Sequence, residues 1–270
     1  CSSDLSVING GYLFYTDAAN VLIKNLIIAG GNQTAIVNSG GSLTLENVSI
    51  SGSGSSNIFC GGVYNSGMIM MKNCVIRQNS GWNGAGFVNV GTMIMDGCSV
   101  TENSAIPYFD EYDSGETGAG IDGSLSGGGG INNGRLYLNN CTIANNSAAE
   151  GVGGVNNYYE YNDAVLYILN TTIAGNISHA ADGETGGVSG GTFYVINSIA
   201  ASNYALTGSQ SVSSDISEKR SMVNGIQIIN TYVGRFTDSA GADAIPALIQ
   251  ESMVNPMGYG TSDVFLLYQI

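Results

Sequence analysis

The chain has 270 residues, of which seven are Lys or Arg and twenty-one Asp or Glu, for a net charge of −14. The basic residues stand singly except for Lys219-Arg220, so there is no positive stripe to track phosphates, and nucleic acid is excluded as a ligand class. No run approaches the 18 or more apolar residues that a membrane helix needs, and apolar periodicity persists through the Gly- and Ser/Thr/Asn-rich stretches, which excludes a disordered low-complexity chain.

The first element is Ser2 to Asn20, an N-terminal cap over the open end of a repeat array. From Val21 onward one frame recurs. Ile69-Met-Met-Lys-Asn-Cys-Val-Ile76 lies over Met93-Ile-Met-Asp-Gly-Cys-Ser-Val100 and over Leu136-Tyr-Leu-Asn-Asn-Cys-Thr-Ile143. Val21 to Ile28, Leu43 to Ile50, Leu166 to Ile173, Phe193 to Ala200 and, more weakly, Ile226 to Val233 fit the same frame. A repeat at this period reads as a solenoid, here of eight coils.

Each frame turns at a corner residue: Asn25, Asn47, Asn73, Gly97, Asn140, Asn170, Asn197 and Asn230, in steps of 22 to 43 residues. The short steps leave no space for a helical crossover, so strand must stack on strand. Alternation within each strand, reset at the corner, predicts Ile69, Met71, Cys74 and Ile76 inside and Met70, Lys72 and Val75 outside. Asn suits the corner because its short side chain tolerates left-handed backbone and bonds to nearby amides. A second row, Asn65, Asn89, Asn132 and Asn156, and a third, Asn79, Asn103, Asn146, Asn176 and Asn203, complete three corners and hence three sides. Cys74, Cys98 and Cys141 share one inward position, a row of small apolar side chains rather than the convergent tetrahedron that zinc takes; Cys60, beside a Gly-Gly turn, is expected to be partly exposed. Strands about 4.8 Å apart make eight coils a rod about 40 Å long.

The predicted fold is therefore all-β, a parallel β-helix over residues 1–236 with a C-terminal cap at 237–270. Within the tail, Ser209 to Arg220 reads as a polar surface loop, Asp243 to Met253 has the apolar spacing of a short helix, and Val264 to Ile270 reads as a strand.

The openings Gly61 to Asn65, Gly129 to Asn132 and Gly153 to Asn156, with Gly84-Ala-Gly-Phe87 as a variant, resemble the polymorphic outer-membrane-protein type of right-handed parallel β-helix repeat. So do the coil endings Asn140-Cys-Thr-Ile-Ala-Asn-Asn-Ser147 and Asn170-Thr-Thr-Ile-Ala-Gly-Asn176, and the resemblance covers roughly residues 20 to 235. The Phe-x-x-Asn tetrapeptide of the best-known members is absent. The resemblance implies an exported bacterial surface protein, adhesin-like, and in other β-helix families a polysaccharide-active enzyme. Cys1, followed by Ser-Ser-Asp, looks like the acylated residue of a bacterial lipoprotein, which would make membrane contact an N-terminal lipid anchor.

Candidate site residues lie where coils swell, because a regular shaft presents only short turns. Residues 104–128, 147–153 and 177–186 leave between the same two corners and should share one side of the rod. Together they carry aromatic and carboxylate side chains and no Lys or Arg. Tyr108, Phe109 and Tyr112, with Asp113, Glu116 and His179, are the candidate glycan-binding residues, aromatic rings covering apolar sugar faces and carboxylates accepting sugar hydroxyls. A second insertion beginning Tyr158-Tyr159 is a further contact patch for glycans or extracellular proteins. Asp110, Glu111, Asp113, Glu116, Asp182 and Glu184 supply oxygen ligands of the kind calcium takes, making calcium the candidate cofactor.

These residues are compatible with two functions: a non-catalytic surface protein binding glycans or extracellular proteins, and a carbohydrate-active enzyme. As a glycoside hydrolase it would draw a carboxyl pair from Asp110, Asp113, Glu150 and Asp182. As a calcium-dependent lyase it would need a base near the loops, where His179 is the one imidazole.

Overall fold

The computed structural model describes residues 13–17, 20–55, 57–107, 126–157, 164–180, 185–207, 210–217, 226–229, 231–237 and 243–244. These are all-β, and the strands stack as a parallel β-helix. The coils build three sheets, and five of the eight reach the third among the described residues. A short strand such as Val63–Asn65 joins sheet 1 of ten strands; a longer one such as Met68–Lys72 and the Val75–Arg77 strand after the corner are two arms of sheet 2 of fourteen; a two-residue strand such as Ser80–Gly81 joins sheet 3 of six. Pairing is in strict register: Ile69 lies beside Leu43 and Met93, and Met93 beside Leu136.

The long arm of sheet 2 runs through eight strands, from Val21–Ala29 to Ile226–Ile229, as the eight-fold frame predicts. Its alternation places Ile69, Met71, Cys74 and Ile76 in the core and leaves Met70 37% exposed, with Lys72 in solvent. Phe87, Phe193 and the stacked Leu, Ile, Val and Met side chains fill the shaft continuously from coil to coil.

The corners divide their work. Asn25, Asn47, Asn73, Asn140, Asn170 and Asn197 have φ between 48° and 55°, with Gly97 at 64°, the left-handed turn for which Asn and Gly carry the smallest steric cost. At the third corner that conformation falls on the residue before the Asn, namely Gln78, Glu102, Asn145, Gly175 and Ser202. The Asn itself turns inward. Asn79, Asn103, Asn146, Asn176 and Asn203 are buried, and each Oδ1 from Asn103 onward accepts both the backbone N–H and the Nδ2–H of the preceding member. The row ends on buried Asp215, whose Oδ1 takes both donors of Asn203 at 2.8 Å.

The second corner carries a similar ladder, with one correction. Asn38, Asn65, Asn89, Asn132 and Asn157 are chained by amide hydrogen bonds of 2.8 Å. The expected member Asn156 instead points outward beside Ile131, because Asn132 pairs with Asn157 in register. A one-residue slip reverses the face on which a side chain lies.

Beside the first corner, Cys74, Cys98 and Cys141 are buried as expected, but they also act as hydrogen-bonding groups. The Cys74 N–H donates to Cys98 Sγ, and the row continues through Cys141 N–H to Thr171 Oγ1, Thr171 N–H to Ser198 Oγ and Ser198 N–H to Thr231 Oγ1. Hydrogen bonding between neighbouring thiols, with burial, pushes the Cys74 thiol up and Cys98 up to about 12. Cys141, which accepts from Cys98, is lowered by that contact.

The ends differ from expectation where they are described. Phe14–Thr16, within the expected N-terminal cap, is a strand parallel to Ile36–Asn38. In place of a polar loop at 209–220, Gln210–Ser213 forms an antiparallel hairpin with Tyr204–Thr207, and Ile216–Ser217 enters sheet 1. The ladder's need for an acceptor at Asp215 explains the order there. Phe236–Thr237 straddles the expected 236/237 boundary, and Asp243–Ala244, the start of the expected helix, is a strand antiparallel to it. The remainder of that helix and the Val264 to Ile270 strand lie outside the described residues.

Candidate functional site

Sheet 3 sets the loop edge. Ser80–Gly81, Ser104–Ala105, Ser147–Ala148 and Ile177–Ser178 stack in register. The register continues one residue further: Ile106 N–H donates to Gly81 O, Ala149 N–H to Ala105 O and His179 N–H to Ala148 O, at 2.8 to 3.0 Å. These bonds stand where the swellings begin in the chain: Pro107, Ala149 and Ala180 precede them, and Ser126, Val152 and Thr185 follow them. Each swelling predicted from the sequence thus starts at one edge.

Of the predicted site residues, Glu150 and His179 are described, on adjacent coils of this edge and both exposed. Ser178, under them, donates its hydroxyl to Gly151 O at 2.5 Å, tying the two turns together. Tyr108, Phe109, Asp110, Glu111, Tyr112, Asp113, Glu116, Tyr158, Tyr159, Asp182, Glu184 and Cys1 lie outside the described residues. Among the described residues no group of three or more His, Cys, Asp or Glu is placed to hold a metal ion.

The returning chain covers the outer face of sheet 1. Cys60, Gly84, Gly127 and Val152 bridge in parallel from coil to coil, and beneath them the outward side chains Val88 and Ile131 are 1% and 2% exposed. Cys60, expected to be partly exposed, is 1% exposed because it packs into this outer cluster with Val88, Ile131 and Tyr64; burial pushes its thiol well above the ordinary range. Phe59 roofs the cluster, edge-on to Trp82 at 4.9 Å and to Tyr64 at 6.5 Å. Two buried hydroxyls in this layer, Ser126 and Ser189, have no hydrogen-bond partner among the described residues.

Sheet 2 presents a feature that sequence reasoning missed. On its outer face Met70, Ile94, Tyr137, Tyr167 and Tyr194 lie in one register row. The three rings stack face to face, Tyr137 on Tyr167 at 4.9 Å and 0° and Tyr167 on Tyr194 at 4.8 Å and 9°. The signal was present in the frame, since the residue three before the corner is Tyr in three consecutive coils.

Arg135, Val165 and Thr192 form the parallel row on one side, and Met68, further along that row, is 43% exposed. Comparison with protein-family models, with curated proteins and with solved structures finds no match to this chain.

Proposed function

We propose that the chain is an exported, non-catalytic surface protein whose rod holds a glycan-binding loop face at the edge of sheet 3. The observation that supports it is the strict register of that sheet, which starts three swellings of consecutive coils from one edge. Those swellings hold eight carboxylates and no Lys or Arg. A face of that charge repels anionic polymers and favours neutral sugars, whose hydroxyls donate to carboxylates; calcium, if the loops take it up, would be held there by the same oxygens.

The test is incubation with a panel of neutral and acidic polysaccharides, with and without calcium, following retention and fragment release by mass spectrometry. Retention without fragments, reduced in a Tyr108→Ala, Phe109→Ala, Tyr112→Ala variant, is the expected result. Fragments that disappear in Asp113→Asn or Glu150→Gln would replace this reading with a carbohydrate-active enzyme. Retention untouched by the triple substitution would remove the loop face.

A further inference from the structure

We infer that the first coil is an interface for a second copy of this chain. Two rods meet end to end about a two-fold axis, the strand Val21–Ala29 of one copy running antiparallel to the same strand of the other. The loop face belongs to the fourth, fifth and sixth coils, so the contact does not depend on it.

This end of the rod is open on its edge and apolar on both faces. Among the described residues Val21–Ala29 pairs on one side, with Ser42–Ser51, and with no strand on the other. Unpaired backbone groups along such an edge are a template for a further strand. The inward side chains are short of cover. Val21, Ile23 and Leu26 are half-buried, whereas Leu43, Leu45 and Val48, beside them in register on the next coil, are at most 1% exposed. The outward side chains are aliphatic as well: Leu22 is 53% and Ile27 46% exposed, at positions that Thr44 and Ser49 take one coil later. Burying these groups against a like surface removes apolar area from water.

Charge and pattern both suit a second copy. The chain carries a net charge of −14, yet Leu13 to Gly31 hold Asp17 and Lys24 as their charged residues, and Lys24 Nζ is held by Glu46 Oε2 at 2.8 Å. Two copies that meet here bring little net charge together. The strand also reads alike in both directions. Antiparallel pairing about the Lys24–Asn25 peptide sets Val21 opposite Ile28 of the second copy, Leu22 opposite Ile27 and Ile23 opposite Leu26, and the two-fold axis repeats each pair. Because the alternation resets at the corner, inward residues meet inward ones and outward residues outward ones. Lys24 then faces Asn25. A slip of one residue would set core side chains against outward ones, and a slip of two toward the C-terminus would set Lys24 against Ile27. A two-fold contact of this kind closes on itself, whereas head-to-tail stacking would add copy after copy.

The experiment is sedimentation velocity of the full chain over a concentration series. The expected result is a dimer fraction that rises with concentration, accompanied by a rising melting temperature, since association stabilises the folded chain by mass action. Leu22→Lys with Ile27→Lys sets like charges opposite each other across the contact. Both positions are exposed and outward, so this variant should keep the wild-type far-UV circular dichroism and sediment as a monomer. A mixture of the single variants Leu22→Cys and Ile27→Cys, treated with a short bis-maleimide, should cross-link beyond what either gives alone, because the antiparallel pairing sets position 22 of one copy opposite position 27 of the other. A monomer at every concentration would overturn the contact and leave this end to residues 1–12 or to a different protein. A dimer that survives the lysine variant would overturn it by placing the association elsewhere, and oligomers that keep growing would replace it with head-to-tail stacking. Equal cross-linking in the mixture and in the single variants would overturn the antiparallel register.

Discussion

Replacing Asn103 by Ala tests what holds the coils together. The Asn103 Oδ1 accepts from Asn79 N at 3.1 Å and from Asn79 Nδ2 at 3.0 Å, and its Nδ2 donates to Asn146 Oδ1 at 2.9 Å and to Ile76 O at 3.1 Å. At about 1 kcal/mol net for each bond, the four sum to about 4 kcal/mol. Asn79 Nδ2 retains Ile50 O, and Asn146 Oδ1 retains the Asn103 backbone N–H, so neither is orphaned. The Asn79 N–H loses its one acceptor among the described residues. With that orphan included, the expected loss is about 4 to 5 kcal/mol, which for a chain of this size lowers the melting temperature by roughly 10 °C. A solenoid is stabilised coil against neighbouring coil, so the defect should also split the transition, the first coils separating from the rest. The assay is urea unfolding followed in parallel by far-UV circular dichroism and by the fluorescence of Trp82, the single tryptophan, which lies between Asn79 and Asn103 in the chain. Asn103→Asp should be worse than Ala, since an oxygen replaces the donor facing Asn146 Oδ1 and Ile76 O. A loss below about 1 kcal/mol for Ala would refute the ladder as the inter-coil bond, and tolerance of Asp would refute its direction.

The packing and the buried thiols supply two further predictions. A Cβ at Gly130 would run into the Phe87 ring, so Gly130→Ala should cost about 1–3 kcal/mol by overpacking, and Phe87→Leu added to it should cost less than it does alone, a coupling that a double-mutant cycle in urea measures. The Cys98 thiol, ordinarily at 9.0, is pushed up to about 12, so above pH 9 the unfolded chain releases a proton that the folded chain keeps. Stability from this group is full below pH 9 and falls as pH rises toward 12; Cys98→Ala should flatten that part of the stability profile, and an unchanged slope would show that the thiol does not set it.

The fold was legible because the core obeys period-two alternation and the corners obey a steric rule. Ile69, Met71 and Cys74 needed no more than their phase relative to Asn73. Asn156 shows where legibility stops: Asn156 and Asn157 are adjacent and chemically identical, so composition could not say which one faces inward, and pairing with Asn132 decided it. Polar residues at 209–220 misled for a related reason, because Asp215 is buried by a ladder that only three-dimensional stacking reveals. Glu150 and His179 were placed at one edge correctly because loops between equivalent corners must share a side. The tyrosine row was equally visible in the repeat, but outward positions carry no core constraint, and a regular face has none of the swellings that mark a site.

The direction of the ladders explains where the bonded core ends. In both inner rows each Nδ2 points toward the later coil, so each row must finish on an acceptor. The second-corner row stops at Asn157, whose Nδ2 keeps only the bond to the next coil's backbone, at Thr192 O, that each earlier member makes as well; the next position in register is Gly190, with φ of 106° and no side chain to continue. The third-corner row runs on and closes on Asp215, which also accepts from Ser213 Oγ. An ionised carboxylate only accepts, so it can terminate a chain of donors where another amide would leave a donor seeking the next coil. Five aligned amides also direct their positive ends toward it, and charge-assisted bonds in a buried setting are the strong ones. The opposite end is different. Ser53 N–H donates to Asn79 Oδ1, starting the third-corner row, whereas Asn38 Oδ1 is buried with no donor among the described residues. Sequence periodicity alone would let such a rod grow without limit; the glycine at 190 and the carboxylate at 215 are what stop its ladders.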